Sequence, residues 1–299
     1  MLLKKPISFE EQLNRIREHG VKIEDPDKAM DFLKTCGYYR FTGYAMQFRK
    51  SPSDSDYVDG TSFENIRRIY EFDEAMRNTL RKYIEIAEIF YRTKISYGFS
   101  MVKCKEPPHD QHYYENNYYD KDVFNKVKTR FSKEEQYYKD SLIVKHHKRK
   151  YGGKMPLWVI TELLSFSNLS QLYSCMYDSE KQAIAAPLGL SAKRLQNNLH
   201  CMSVLRNKCA HGARLYNDKL KPPAMFAPAM KKAYGDMALD SLFAYILILL
   251  NRLPHLKDKE NMIIEIDNIV KEYEEDIDFS LIGFPQNYED ILRKEKSAT

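Results

Sequence analysis

Several function classes leave marks that this 299-residue chain does not carry. Its five cysteines, at 36, 104, 175, 201 and 209, are odd in number, scattered, and never form a C-x-x-C pair. That argues against a disulfide framework and a zinc site, and it suits a reducing compartment. His109 and His112 are close in sequence, but no carboxylate or cysteine sits at a fitting metal-ligand spacing, so neither metal nor cofactor is expected. No glycine-rich turn links a strand pattern to a helix pattern, which argues against a nucleotide fold. No internal repeat is evident, and strand signals are few. The opening Met1-Leu2-Leu3-Lys4-Lys5-Pro6 lacks the apolar segment of a signal peptide. The longest apolar run, Leu242 to Leu250, is too short to span a bilayer. A cytoplasmic protein with no membrane contact is the expectation.

What is present is enough for a core. Hydrophobic residues make up 43% of the chain, so it is not a disordered one. A net charge of +5 permits a polyanionic partner without demanding it. Tyrosines outnumber phenylalanines 22 to 15, supplying rings with hydrogen-bonding tips that pack or stack on bases.

The periodicity reads as a mainly α helical bundle. Residues 1–60 form a small N-terminal lobe, and 61–299 form the main helical domain with an insertion at about 103–153. Ser8 and Glu11 pair as a capping box, Gly20 ends the first helix, and a second helix runs from Pro26 to Cys36. The aromatic stretch Tyr38 to Tyr44 reads as a turn packed under the body, and Ser51 to Gly60 as a linker. Thr61 and Glu64 read as a second capping box, opening the longest helical pattern, Ile66 to Ile95. Asp73, Arg77, Glu85, Glu88 and Arg92 lie on or beside its apolar side. Asp73 with Arg77, and Glu88 with Arg92, are spaced for pairing along the helix. They read first as salt bridges that fix packing and second as supports for a catalytic group.

Residues Lys103 to Asp122 show no helical period and read as an inserted loop. The run Lys145-His146-His147-Lys148-Arg149-Lys150 is the densest basic patch. It reads as a solvated face, or as phosphate contacts through Lys145, Lys148, Arg149 and Lys150 if RNA is the substrate. Pro156 suits the first turn of a core helix carrying Trp158, with Glu162 a candidate to orient the residues described next. Met237 to Leu253 reads as an apolar helix buried in the core or against a second subunit, Glu260 to Ile277 as amphipathic, and Lys294 to Thr299 as frayed.

Chemistry concentrates in Leu205-Arg206-Asn207-Lys208-Cys209-Ala210-His211-Gly212. Ser191 caps a helix whose stripe Leu195, Leu199, Met202, Leu205, Cys209 faces a core, and Gly212 stops it. At about 100° per residue Asn207 and His211 stack along the helix, and Arg206 lies about 140° from His211 in projection. Carbonyls left unpaired at the helix end favour a protonated imidazole, so His211 could hold or relay a proton near neutral pH. An arginine, a proton-transferring histidine and an amide suit attack of an RNA 2′-hydroxyl on its own phosphate. Arg206 would grip the phosphate, His211 would act as acid or base, and Asn207 would hold imidazole or phosphate in place. The same three residues also suit a plain role, with Arg206 on a core carboxylate, Asn207 capping and His211 satisfied at the helix end.

This stretch resembles the Arg-x(4–6)-His signature of the HEPN superfamily of helical ribonucleases and RNA-binding modules. In addition the chain resembles the Abi-like family of bacterial abortive-infection proteins, in order along residues 5 to 217. The matching stretches are Lys5 to Leu13, Gly37 to Tyr44, Gly60 to Phe63, Tyr70 to Arg77, Ile84 to Ile95, Pro156 to Phe166, and Leu205 to Leu215. Gly212 departs where relatives often carry a second histidine, and Ser167 where a glycine often stands. The resemblance implies a HEPN-like bundle and a metal-independent endoribonuclease with Arg206, Asn207 and His211 as its site, acting in anti-phage defence. It also implies a homodimer with facing sites. An antitoxin or a phage-derived trigger is a possible partner besides RNA. The alternative is a non-catalytic RNA-binding or toxin-antitoxin module.

Overall fold

The computed structural model describes residue 3 and residues 5–297. Within them fourteen α-helices and six short 3-10 turns alternate with loops, and there is no strand, so the protein is a mainly α helical bundle. Two isolated bridges, Lys22 with Ser62 and Arg49 with Tyr57, are the only β pairing among the described residues.

Helix α1 (Phe9–Glu18) opens with the expected Ser8–Glu11 capping box, and α2 (Pro26–Cys36) has Asp25 as its cap. The aromatic stretch differs from expectation. It is itself a helix, α3 (Tyr38–Ala45), because Gly37 at φ +82° turns the chain and Phe41, Tyr44 and Ala45 follow at spacings that bury one face. Phe41 stacks on Phe63 with ring centroids 4.3 Å apart, joining α3 to the start of α4.

Helix α4 (Phe63–Lys103) is the axis of the molecule, at 41 residues. Its cap is Ser62 with Asn65, not Thr61 with Glu64; the Thr61 hydroxyl instead donates back to the Val58 carbonyl. Ile66, Ile69, Phe72, Met76, Leu80, Tyr83, Ile84, Ala87, Tyr91, Ile95 and Phe99 are buried along one face. Each large apolar side chain so buried contributes about 1.5–3 kcal/mol, which outweighs the modest local preference of the helix.

The segment after α4 is a packed one. Tyr118 lies fully buried, stacked between Phe99 and Phe124, and His112 is buried with Nε2 2.9 Å from the Met155 carbonyl. Burial pushes the His112 imidazole down to about 4. His109 Nδ1 lies on the Cys104 carbonyl. Helices α5 (Lys121–Tyr137) and α6 (Leu142–Tyr151) are separate, broken by a turn at 138–141. Only four residues form α7 (Leu157–Ile160), and Trp158 within it is half exposed, so the expected core helix is a short turn that anchors Leu157 and Ile160.

Helices α8 (Phe166–Ser174), α9 (Asp178–Ala185) and α10 (Ala192–Ala210) follow, and α10 packs against α4, α8, α9 and α12. After α11 (Pro228–Tyr234), α12 runs Leu242–Arg252, starting five residues later than the apolar pattern suggested because Ser241 caps it. Leu242 to Leu250 are all buried inside this one chain, so α12 has no apolar face left for a second subunit. Helix α13 (Leu256–Glu272) packs on α4, and α14 (Tyr288–Ser297) continues through most of the segment expected to fray. Residues 298 and 299 lie outside the described residues, as do Met1, Leu2 and Lys4.

Candidate active site

The last turn of α10 is fixed before its side chains do anything. His211 is the cap, Gly212 follows at φ +61°, Gly212 N–H donates to the Cys209 carbonyl, and Ala213 N–H donates to that of Lys208. This is a Schellman closure, and glycine suits the left-handed position because it has no Cβ to clash. His211 N–H takes the Asn207 carbonyl, and Arg81 Nη2 donates to that of Cys209 at 3.1 Å. Of the carbonyls expected to be unpaired, those of Lys208 and Cys209 are therefore taken. Arg40 donates to the Gly212 carbonyl, and Arg214 donates to that of Gly43, tying α3 to the motif.

The chain leaving the motif is clamped by Asp73. Its buried carboxylate accepts from the backbone N–H groups of Leu215 and Tyr216, from the Tyr44 hydroxyl at 2.6 Å and from Arg77. Burial raises the Asp73 carboxyl above its ordinary range, while the Arg77 charge and these hydrogen bonds pull the other way. Arg77 also reaches the Ala213 carbonyl at 3.4 Å. Asp73 and Arg77 touch neither Arg206 nor His211. They hold the backbone that carries the motif, the packing role rather than direct support of a catalytic group.

Arg206 and Asn207 open into different clefts. Arg206 lines a charged cleft of about 460 Å³ with Arg81, Glu85, Glu88, Ile89, Arg92 and Glu162. There Glu88 Oε2 is 3.7 Å from Arg206 Nε, and Glu88 Oε1 accepts from Arg92 Nη2 at 2.8 Å. Burial pushes the Glu88 carboxyl up, with the charges of Arg92 and Arg206 opposing. Glu162 does not orient Arg206 or His211 as expected; it is half exposed and its ion partner is Arg92, at 3.9 Å.

Asn207 sits on the other side, against α8. Its Nδ2 donates to Ser167 Oγ at 2.9 Å, and its Oδ1 accepts from Arg206 Nη1 at 3.5 Å. The amide is thus engaged with serine and arginine and does not hold the imidazole. His211 is exposed, with no hydrogen bond to its ring among the described residues. Cys209, two residues before it, is no rival nucleophile, since burial pushes its thiol up to about 12.

The basic run lies on α6. Lys145 pairs with Asp140 at 3.1 Å, Lys148 stands 3.7 Å from Glu135, and Lys150 lies over the Tyr151 ring. None of Lys145, Lys148, Arg149 or Lys150 lines either cleft. A larger cavity of about 760 Å³ between α2 and the start of α4 likewise shares no residue with the motif. Three contributors to the motif's surroundings do not stand out in the sequence: Arg40, Arg81 and Ser167. Arg81 continues the Asp73, Arg77 spacing of four along α4, which is the available signal. Arg40 and Ser167 stand in stretches notable only for their resemblance.

Residues 31–217 match the model of a family described as Abi-like protein. The chain belongs to the Abi-like family. The match covers more than half of it, begins inside α2, and ends one residue past the Asp73-clamped Leu215 and Tyr216. The resembling stretch Lys5 to Leu13 falls outside the matched residues, as do α11 to α14. No curated protein and no solved structure matches this Abi-like chain. None of its helices among the described residues is long and apolar enough to cross a membrane, and no group of three or more His, Cys, Asp or Glu there is placed to hold a metal.

Proposed function

We propose that this Abi-like protein is a HEPN-type endoribonuclease that acts in abortive infection, the defence in which an infected bacterium halts phage growth. The observation that carries the reading is the end of α10. An arginine half exposed in a charged cleft and an exposed histidine whose ring has no partner among the described residues stand five residues apart on a turn held by Asp73, Arg81 and Gly212. In the reaction the RNA 2′-oxygen bonds to phosphorus and the bond to the 5′-oxygen breaks. The 2′ proton goes to a base, and the 5′-oxygen takes one from an acid, leaving a 2′,3′-cyclic phosphate and a 5′-hydroxyl. His211 supplies one of these transfers, and Arg206 neutralises the phosphorane oxygens. Neither role needs a metal.

The end of α10 in one copy offers a single exposed imidazole, so the proposal includes a homodimer in which two α10 ends face each other. Burial for that contact cannot come from α12, but Ile89 lines the charged cleft, and Tyr97 and Met101 continue its line along α4, all exposed. Total RNA incubated with the purified protein in EDTA should yield cyclic-phosphate ends. Arg206→Ala and His211→Ala should each lose about 10²–10⁴-fold in rate with melting unchanged. Mixing the two inactive proteins restores activity if each site draws on both copies. Binding of RNA without any cleavage would favour the non-catalytic module instead.

A further inference from the structure

On the α8 side of α10 lies a second cleft, of about 360 Å³, lined by Ser167, Ser170, Gln171, Ser174, Gln196, His200, Ser203, Val204 and Asn207. It contains no Lys, Arg, Asp or Glu. Gln196, His200, Ser203 and Asn207 follow at helical spacing up α10, and Ser167, Ser170, Gln171 and Ser174 do so on α8, so the two helices present facing rows of hydroxyls and amides. Much of this capacity is unused. Ser170 is 7% exposed, yet its hydroxyl has no hydrogen bond among the described residues, and neither do the amides of Gln171 and Gln196 or the ring of His200. The Ser170 hydroxyl opens onto the groove, where it is free to meet a ligand.

We propose that this groove is a nucleobase subsite for single-stranded RNA. The inference rests on the RNA-cleaving reading of the neighbouring turn and names how that turn would select its substrate. The absence of any fixed charge argues for a neutral ligand and against a phosphate. A glutamine amide offers donor and acceptor in one plane, the pairing that reads a base edge. The bases of single-stranded RNA are free to splay into such a groove. Size agrees, because the volume is near the lower end of small-molecule sites, roughly 300–1,000 Å³, and fits a nucleoside rather than a folded partner. Position agrees as well: Asn207 lines the groove and its Oδ1 accepts from Arg206 at 3.5 Å, so the groove adjoins the arginine that would hold a phosphate.

The test uses full-length protein carrying His211→Ala, so that RNA is bound and not consumed. Fluorescence anisotropy gives the affinity for labelled A, C, G and U homo-oligomers and for an abasic strand of the same length. At least one base should bind about tenfold tighter than the abasic strand. Adding Gln171→Ala and Gln196→Ala should erase that difference while leaving the salt slope unchanged, since neither side chain carries a charge for a phosphate. Gln171 is exposed and Gln196 half-buried, so the fold is not at risk. Equal affinity for all five strands, or a base preference that survives the two substitutions and His200→Ala, overturns the subsite. Base-dependent binding that the groove variants abolish, with no cleavage by the protein whose His211 is intact, keeps the subsite and removes the nuclease reading. A protein that binds no RNA removes both.

Discussion

Two clefts flank the end of α10, one walled by three arginines and three glutamates, the other by serines, amides and a histidine. They are served by consecutive residues, Arg206 and Asn207, which a helix turns about 100° apart. The charged cleft is an internally neutralised network, in which Glu88 stands between Arg92 and Arg206. The groove has hydrogen-bonding capacity and no charge to neutralise. A single turn can therefore present a cation to a phosphate on one side and an amide to a neutral group on the other. The chain needs no loop to do it, because α4 and α8 supply the two walls.

The comparison breaks most completely if the turn shared by both clefts is released. Asp73→Asn leaves Arg77 buried without its countercharge and sets an amide N–H₂ against it, at an expected cost of about 3–5 kcal/mol. Urea unfolding should show this; a loss below about 1 kcal/mol would mean that the clamp is not what holds Leu215 and Tyr216.

A smaller change separates the clefts. Ser167→Ala removes the acceptor of the Asn207 amide, a hydrogen bond worth about 1 kcal/mol, so RNA cleavage should slow by up to about tenfold with Arg206 undisturbed. An effect as large as that of Arg206→Ala would show that the two sides are not separable.

Replacing Lys148, Arg149 and Lys150 with alanine tests whether phosphate binding extends beyond the charged cleft. Each of these cations that neutralises a phosphate in the wild type should, once removed, take about 0.7 off the slope of log affinity for single-stranded RNA against log salt. An unchanged slope leaves α6 as solvated surface, in keeping with the pairing of Lys145 to Asp140.

The smallest expected effect has an unusual sign. Glu88 has its carboxyl raised by burial despite two arginines, so protonation favours the native state. Glu88's contribution to native stability should then be fully present below the ordinary carboxylate range and be lost as pH rises through Glu88's own higher value. Glu88→Gln should abolish that loss and be as stable as the wild type, or more so, at pH 8. Unfolding curves at pH 5 and pH 8 decide it, and a variant clearly weaker at pH 8 would make the ion pair a net stabiliser.

Much of this architecture is legible in the residues alone, wherever the controlling interactions are local. The Ser8–Glu11 capping box, the Pro26–Cys36 helix and the stop at Gly212 depend on neighbours within a few positions, and the structure has all three. The course of α4 is legible too, since a buried stripe at helical spacing has few alternatives. Tyr38 to Tyr44 reads as a turn and is a helix, because that helix is stabilised by Phe63 and Asp73, which come some twenty to thirty residues later. The stretch after Pro156 reads as a core helix carrying Trp158, while in the structure Leu157 and Ile160 take the buried side of a four-residue turn.

Arg206, Asn207 and His211 are identifiable from sequence because their types and spacing are visible there. Where each side chain goes is not, since that depends on which helices stand to either side of α10. Only packing brings Glu88 to Arg206 and Ser167 to Asn207, and only packing buries Leu242 to Leu250 within the chain itself. A sequence determines which groups a helix end carries. Tertiary structure decides which of them find partners, because the partners are separated by tens to more than a hundred residues along the chain.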